Sequence, residues 1–389
     1  MFDRYILVVL VMRVVIHNFK SIERVALDLA PLTILVGPPA GGKSNILDAV
    51  AITGYPNRLL LLDREYGNNA SNLEPPTSIA RFTDHPQLFK YHDLSRKIVI
   101  DATNSEIKTR LEIFYEAGKP TITINGVNLP WDFKTLPSNS MQDARNALEK
   151  AGEGKAFIEA RLYGYDRYGL ASSTCSAPTN CGFHLHFKGM QTRSFPVNIM
   201  SEFGWNAPMV IKSLPDVVVN LNRLMKEHIN EEVEARILRS GVAVIFDYGY
   251  EVEMSAVSDS IFRILYYLMA IRSAMNYVKL HGLEGRFILM LEEPEAHIFP
   301  FFLDLLADYI VKASEVLYMI ITMHNPLLVS KLWDKVRDVK TYYVFRGRDG
   351  STNATELDVK KLAEELKTAE EVLYMPPDEV VEQYSASKE

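Results

Sequence analysis

The sequence predicts an α/β fold with a mostly parallel sheet, and three observations carry that expectation. Leu32 to Val36 is apolar but for Thr33 and runs straight into Gly37, after which Ile46, Leu47, Val50 and Ala51 recur at helical spacing. Phe287 to Leu291 is a second such run, apolar at every position. From Val242 onward strand-like and helix-like segments alternate, which implies crossover connections and hence parallel strands.

The elements follow in order. Met12 to Val36 reads as three strands, MRVVI, VALDL and LTILV, an antiparallel β region ahead of the glycine turn. The middle, from about Tyr55 to Met209, has polar, turn-rich stretches such as PTITINGVNLP, strand-like segments at Lys97 to Ala102 and Leu111 to Tyr115, and a helix around Met141 to Ala151. After Pro215 a helical pattern spans about Val217 to Leu238, with Glu231, Glu232 and Glu234 as a solvated face. Ala243 to Phe246 is strand-like, and Ile261 to Val278 places Ile264, Leu265, Leu268 and Ile271 on one helical face. Leu305 to Ile310 sits in a helix, Leu317 to Thr322 and Tyr342 to Phe345 are strands, and Val359 to Leu366 is a short final helix. No internal repeat and no sustained heptads occur, so any arm is compact.

With 389 residues the chain suits two or three structural units at roughly 150 residues each. Hydrophobic residues at 48% and charged residues at 23% exclude long disorder. A formal charge of −7 gives no global pull toward nucleic acid or anionic membrane, so a DNA grip would have to be local, with Arg58, Arg64, Arg81, Lys90, Arg96 and Lys97 as candidates. Two cysteines, Cys175 and Cys181, fit a reducing cytoplasm and exclude a disulfide framework. With His184 and His186 they invite a zinc site, but five residues separate the cysteines where paired ligands favour two to four. The apolar run Ile6 to Val11 is too short to span a bilayer, and Asp3 cancels Arg4, so it reads as a strand or as a leader before a start at Met12.

The chemistry concentrates in three short motifs. GPPAGGKS matches G-x-x-x-x-G-K-[ST] through Gly37, Gly42, Lys43 and Ser44. The loop Gly37, Pro38, Pro39, Ala40, Gly41, Gly42 and the following Asn45 would wrap phosphates, with backbone N–H groups from all but the two prolines; Lys43 would reach the β- and γ-phosphates and Ser44 would bind Mg²⁺, so ATP and Mg²⁺ are the expected ligands. The strand ending FILMLEEPEAH delivers Glu292 and Glu293 to a carboxyl end, where ligands of α/β sheets sit. Glu292 suits the metal side and Glu293 the general base; the plain alternative is a helix opening with Pro294 in its first turn. TMHNP ends another strand with His324, a candidate contact to the γ-phosphate, although such a histidine taken alone is more often structural.

In their order, Met12 to Ser44, LEEPEAHIFP and TMHNPLL resemble the ATPase heads of the SMC/RecF-type ABC superfamily, most of all its AAA-labelled, OLD-like branch of stand-alone ATPases without a nuclease domain. The resemblance covers both ends of the chain, roughly half of it, and the middle only loosely. It implies a P-loop NTPase of ABC-type head architecture: an N-terminal lobe at 12–60, an intervening, compact helical arm at 61–210 and a C-terminal lobe at 211–389, the two lobes forming one composite head. It implies a homodimer sandwiching two ATP molecules, in which VSDSIFRILYYL supplies the signature and Ser258 reaches the γ-phosphate in the other protomer's site. Ser260 stands where the family usually has glycine, and Glu292 where aspartate is more usual. Gln87 is the candidate Mg²⁺-sensing glutamine, against the plain reading of an exposed loop residue, and Asn18, Phe19 and Lys20 would lie near the nucleotide, against a plain turn. No acidic D-x-D cluster follows His324, so no intrinsic nuclease is expected. The expected function is Mg²⁺-dependent ATP hydrolysis driving a partner, encoded nearby, or a DNA-related process. The alternatives are an ATP-gated regulatory module with little turnover and a DNA-repair head.

Overall fold

The computed structural model describes residues 12–60, 80–81, 84–129, 138–152, 157–165, 199–202, 204, 206–237, 243–252, 257–365 and 367–386. The apolar run at 6–11, Arg64, the Arg58 side chain and the loop with Cys175, Cys181, His184 and His186 lie outside the described residues.

Strands β1 (Met12–Phe19), β2 (Ile22–Leu29) and β3 (Leu32–Val36) stand where the sequence places them. The first two bury alternate positions along much of their length; β3 is buried at every one, as a strand covered on both faces must be. Helices α1 (Lys43–Thr53) and α2 (Tyr55–Leu60) follow. Next come β4 (Ile98–Thr103), β5 (Lys108–Glu116), β6 (Lys119–Ile124) and β7 (Val127–Leu129). The last two form a hairpin inside the stretch read as turn-rich; Asn125 and Gly126 both take positive φ, 46° and 82°, as a tight hairpin turn requires. These strands make an antiparallel sheet in the order β2-β1-β4-β5-β6-β7.

After α3 (Ser138–Ala151), the segment β8 (Glu159–Tyr163) departs from the sequence reading, which saw no strand there. It is the edge of the second sheet, pairing in parallel with a strand almost 130 residues later. Helix α4 (Pro215–His228) ends ten residues before the predicted Leu238. There Asn230 folds the chain, its side-chain oxygen accepting from the Glu232 amide at 2.9 Å. Glu231 and Glu232 therefore lie in a turn and Glu234 opens β9 (Glu234–Ile237), correcting the solvated helix face. β9, β10 (Ala243–Asp247) and β11 (Tyr250–Glu251) form a separate three-stranded antiparallel sheet, so the parallel alternation begins later than Val242.

It begins with α5 (Asp259–His281), followed by β12 (Phe287–Glu292), α6 (Phe302–Ser314), β13 (Tyr318–Thr322), α7 (Pro326–Lys335), β14 (Val339–Arg346) and β15 (Thr352–Glu356). Three short helices close the described chain, α8 (Val359–Glu364), α9 (Ala369–Tyr374) and α10 (Pro377–Tyr384), of which only the first was expected. The second sheet runs β15-β14-β3-β13-β12-β8, parallel throughout except for β15. Residues 98–129 and 159–163, read as part of the intervening arm, thus pair into the two main sheets.

The parallel sheet divides two cores. Leu32, Ile34, Leu289 and Leu291 face one side with α5 and α6; Leu35, Ile288 and Met290 face the other with α1 and the antiparallel sheet. Among the described residues no helix is long and apolar enough to cross a membrane.

Candidate functional site

Pairing across the parallel sheet sets the site. Glu292 lies opposite Thr322, and Thr322 opposite Leu35, so β12, β13 and β3 end side by side. The segments that follow, beginning with Glu293, Met323 and Gly37, leave from one edge, the carboxyl edge where α/β sheets bind ligands.

The phosphate loop is pressed against the sheet behind it. Gly37 and Gly42 take φ of 134° and 108°. A Cβ at Gly37 would stand 2.2 Å from the Val344 carbonyl oxygen, and one at Gly42 2.0 Å from Thr352 Oγ1, so both positions demand glycine. Gly42 caps α1 with no side chain, and no acid lies in the first turn, which leaves the positive end of the helix facing the loop. Lys43 is 5% exposed, its Nζ donating to the carbonyls of Gly37 at 2.8 Å and Pro38 at 2.9 Å. Burial pushes its ammonium down to about 8 against the opposing charges of Glu293 and Glu295. Asn45 donates to Ser21 Oγ at 2.6 Å, and Ser21 shares a 2.7 Å hydrogen bond with Thr352, tying α1 to the β1–β2 turn and β15.

The acids do not open a helix. Residues 293–297 are bends and turns, and α6 starts only at Phe302, which removes the plain alternative. Glu292 pairs with Arg81 at 3.1 Å, while its carbonyl accepts from the buried Tyr267 hydroxyl at 2.7 Å. Glu293 sits in the left-handed region at φ 44°, its amide donating to both the carbonyl and the hydroxyl of Thr322 at 3.1 Å. Its Oε1 meets His324 Nε2 at 3.2 Å. That hydrogen bond, with the charges of His324, Lys43 and Arg81, holds the Glu293 carboxyl below the usual range despite burial. Glu295, to which the sequence reading gave no role, is 5% exposed; its Oε1 accepts from the His324 amide at 2.6 Å and the Asn325 amide at 3.2 Å.

No protein-family model matches the sequence, and no curated protein matches it. Solved structures do. An SMC head bound to the C-winged helix domain of ScpA superposes with a TM-score of 0.50 at 14% identity, covering 90% of this chain and 98% of the other. The fold is that of an SMC ATPase head. An SMC head with an extended coiled coil bound to the C-terminal domain of ScpA, from Pyrococcus furiosus, gives 0.48 at 14% identity over 91% and 98% of the two chains. The SMC head domain from Thermotoga maritima gives 0.43 at 12% identity over 89% and 98%.

Within this fold, Lys43, Glu292, Glu293 and His324 converge on the carboxyl edge. Ser258 does not join them. It stands at the N-cap position of α5, is exposed, and makes no side-chain cap. Tyr267, nine residues on, touches Glu292, and its position on α5 lies roughly 13 Å along the helix axis from Ser258. Ser260 accepts from the Phe299 amide at 2.9 Å, so the side chain in the glycine position is turned into its own protomer.

Gln87 is exposed in a short 3₁₀ turn, His85–Leu88, and lines a cavity of about 460 Å³ with Lys20, Ser21, Asn45, Arg81, Tyr91 and Arg346, beside the phosphate loop. Asn18 and Lys20 take left-handed φ around the β1–β2 turn, and Lys20 donates to the buried Asp48 at 2.6 Å. Arg81, which the sequence offered only as part of a basic surface, reaches Glu292 instead, a contact across more than 200 residues that no local motif signals. Among the described members of that surface, Lys90 and Arg96 also pair with Glu23 and Lys97 with Glu112.

Proposed function

We propose that the chain is a Mg²⁺-dependent ATPase head that binds ATP at the carboxyl edge of the parallel sheet and closes as a homodimer around two nucleotides. The observation that carries this reading is the alignment of three strand ends, which sets the Lys43 loop, Glu292–Glu293 and His324 beside one another. The donor set fits the metal. Ser44 and Glu292 offer hydroxyl and carboxylate oxygens, and among the described residues no three His, Cys, Asp or Glu side chains gather into a metal cage. A hard cation held by few protein oxygens together with substrate phosphates is how Mg²⁺ binds in such sites. The bound ion would neutralise charge building up on the phosphates.

Lys43 and the loop amides hold the β- and γ-phosphates, and Asn45 and the cavity beside it take the remainder of the nucleotide. Glu293 accepts a proton from the attacking water, and His324 orients Glu293 through Nε2 while facing the γ-phosphate. Ser258 completes the site of a second copy. Removing a general base costs about 10²–10⁴ in rate. Glu293→Gln is therefore expected to bind ATP normally, hydrolyse it at about a hundredth of the wild-type rate or less, and persist as a dimer in light scattering. Near-normal turnover in this variant would refute the assignment.

One observation favours a second reading. A carboxyl held below its usual range by His324 is a weak base, which suits a head whose occupancy rather than turnover acts on a partner. SMC heads bound to ScpA domains make a bound partner protein a natural counterpart. Steady-state ATPase assays with and without a co-purifying protein separate the two readings: stimulation by tenfold or more supports gating of hydrolysis, whereas binding without turnover supports the switch.

A further inference from the structure

The short connection between β13 and α7 poses a problem of backbone satisfaction. The strand ends at Thr322 and the helix begins at Pro326, so the amides of His324 and Asn325 fall outside both strand and helix bonding. Glu295 answers for both with one oxygen, Oε1, at 2.6 and 3.2 Å. Its other oxygen, Oε2, is buried with no hydrogen-bond partner among the described residues. The same two segments are joined again by the Glu293 amide to Thr322, and by the His324 ring to Glu293. His324 is thus held at its backbone by one acid and at its imidazole by another, two residues away in the same turn.

We propose that Glu295 is a positioning residue for hydrolysis, whose carboxyl fixes the His324 backbone so that the imidazole meets Glu293. A carboxyl this deeply buried, with one oxygen bare, favours the neutral form, and burial indeed raises it above the usual range. The role rests on the ATPase reading, but the geometry can be tested without turnover.

The test uses the full chain with ¹⁵N-labelled histidine, the His324 resonance being assigned with His324→Gln. Glu295→Ala frees both amides; Glu295→Gln keeps an acceptor at Oε1 and an uncharged group at Oε2. The expected result is a displaced His324 Nε2 resonance and a kcat about 10²-fold lower in Glu295→Ala, with KM nearly unchanged, because the loss is one of alignment. Glu295→Gln should restore the resonance and most of the rate. ADP binding serves as the folding control, and if Glu295→Ala fails it, Glu295→Asp, one methylene shorter, takes its place. An unmoved His324 resonance in Glu295→Ala overturns the proposal, as does a Glu295→Gln variant that binds ADP yet is as impaired as Glu295→Ala. If the wild type itself has no turnover, the ATPase reading fails and the resonances alone decide the positioning.

Discussion

Lys43 is charged in a place that resists charge. Burial brings its ammonium down to about 8, so near that pH the free protein holds only part of a proton there. A phosphate set beside it favours the charged form and raises the value. Between about pH 8 and that higher value, nucleotide binding must therefore draw a proton from solution; well below 8 the lysine is already charged and no uptake occurs. Calorimetry of ADP binding in two buffers of different ionisation enthalpy should show little uptake at pH 7 and approach one proton at pH 9. Equal enthalpies in both buffers at pH 9 would show that Lys43 is not the group meeting the phosphates. At Gly42, an alanine must adopt a strained φ and displace Thr352, so Gly42→Ala should cost more than about 1 kcal/mol in urea unfolding as well as weakening ADP binding. Residues of this kind were readable in the sequence because each motif is contiguous. Glu295 was not, since the amides it serves lie 29 and 30 positions further on, and Arg81 was not, since its partner Glu292 is remote in the chain.

Elements were legible where burial and apolarity coincide. β3, β12 and β13 are buried at nearly every position and apolar in sequence, so a strand covered on both faces could be read directly. β8 is buried at every position too, yet its sequence is EARLY. Arg161 donates to Glu159 at 2.6 Å, and both side chains are within 1% of full burial, so a neutralised pair in the interior looks like a solvent face when read as letters. Likewise α4 was read too long because the apolar spacing continues past Asn230 into a strand that shares it. Between elements, Tyr267 links α5 to the acid strand: it donates to the Glu292 carbonyl and accepts from the Tyr165 amide at 3.1 Å. Tyr267→Phe leaves a buried carbonyl and amide short of a partner and is expected to cost about 1–3 kcal/mol in chemical denaturation. A cost near zero would mean that α5 and β12 are held by apolar packing alone.

At the scale of the whole molecule, the proposed dimer turns on Ser258. It is exposed and about two and a half turns before Tyr267 along α5, and under the proposed function it completes the site of a second copy. Ser258→Arg should leave ADP binding by the monomer within about twofold and abolish the ATP-dependent dimer of the Glu293→Gln background, as judged by light scattering. A dimer that survives the substitution would place the contact elsewhere. Among the described candidates for a local basic surface, Arg81, Lys90, Arg96 and Lys97 each face a carboxylate, which offsets their pull on a polyanion.

The sheet order also has a consequence for biosynthesis. β3 leaves the ribosome early, but both strands that flank it in the finished sheet, β13 and β14, belong to the last quarter of the chain. At about 5–20 residues per second, a five-residue strand of Leu, Thr, Ile, Leu and Val waits on the order of tens of seconds with both hydrogen-bonding edges open. Such an edge is a template for mispairing. The nascent chain therefore cannot acquire its phosphate site as it emerges, and chaperone capture or a pause before release should govern yield more strongly than the stability of the finished fold.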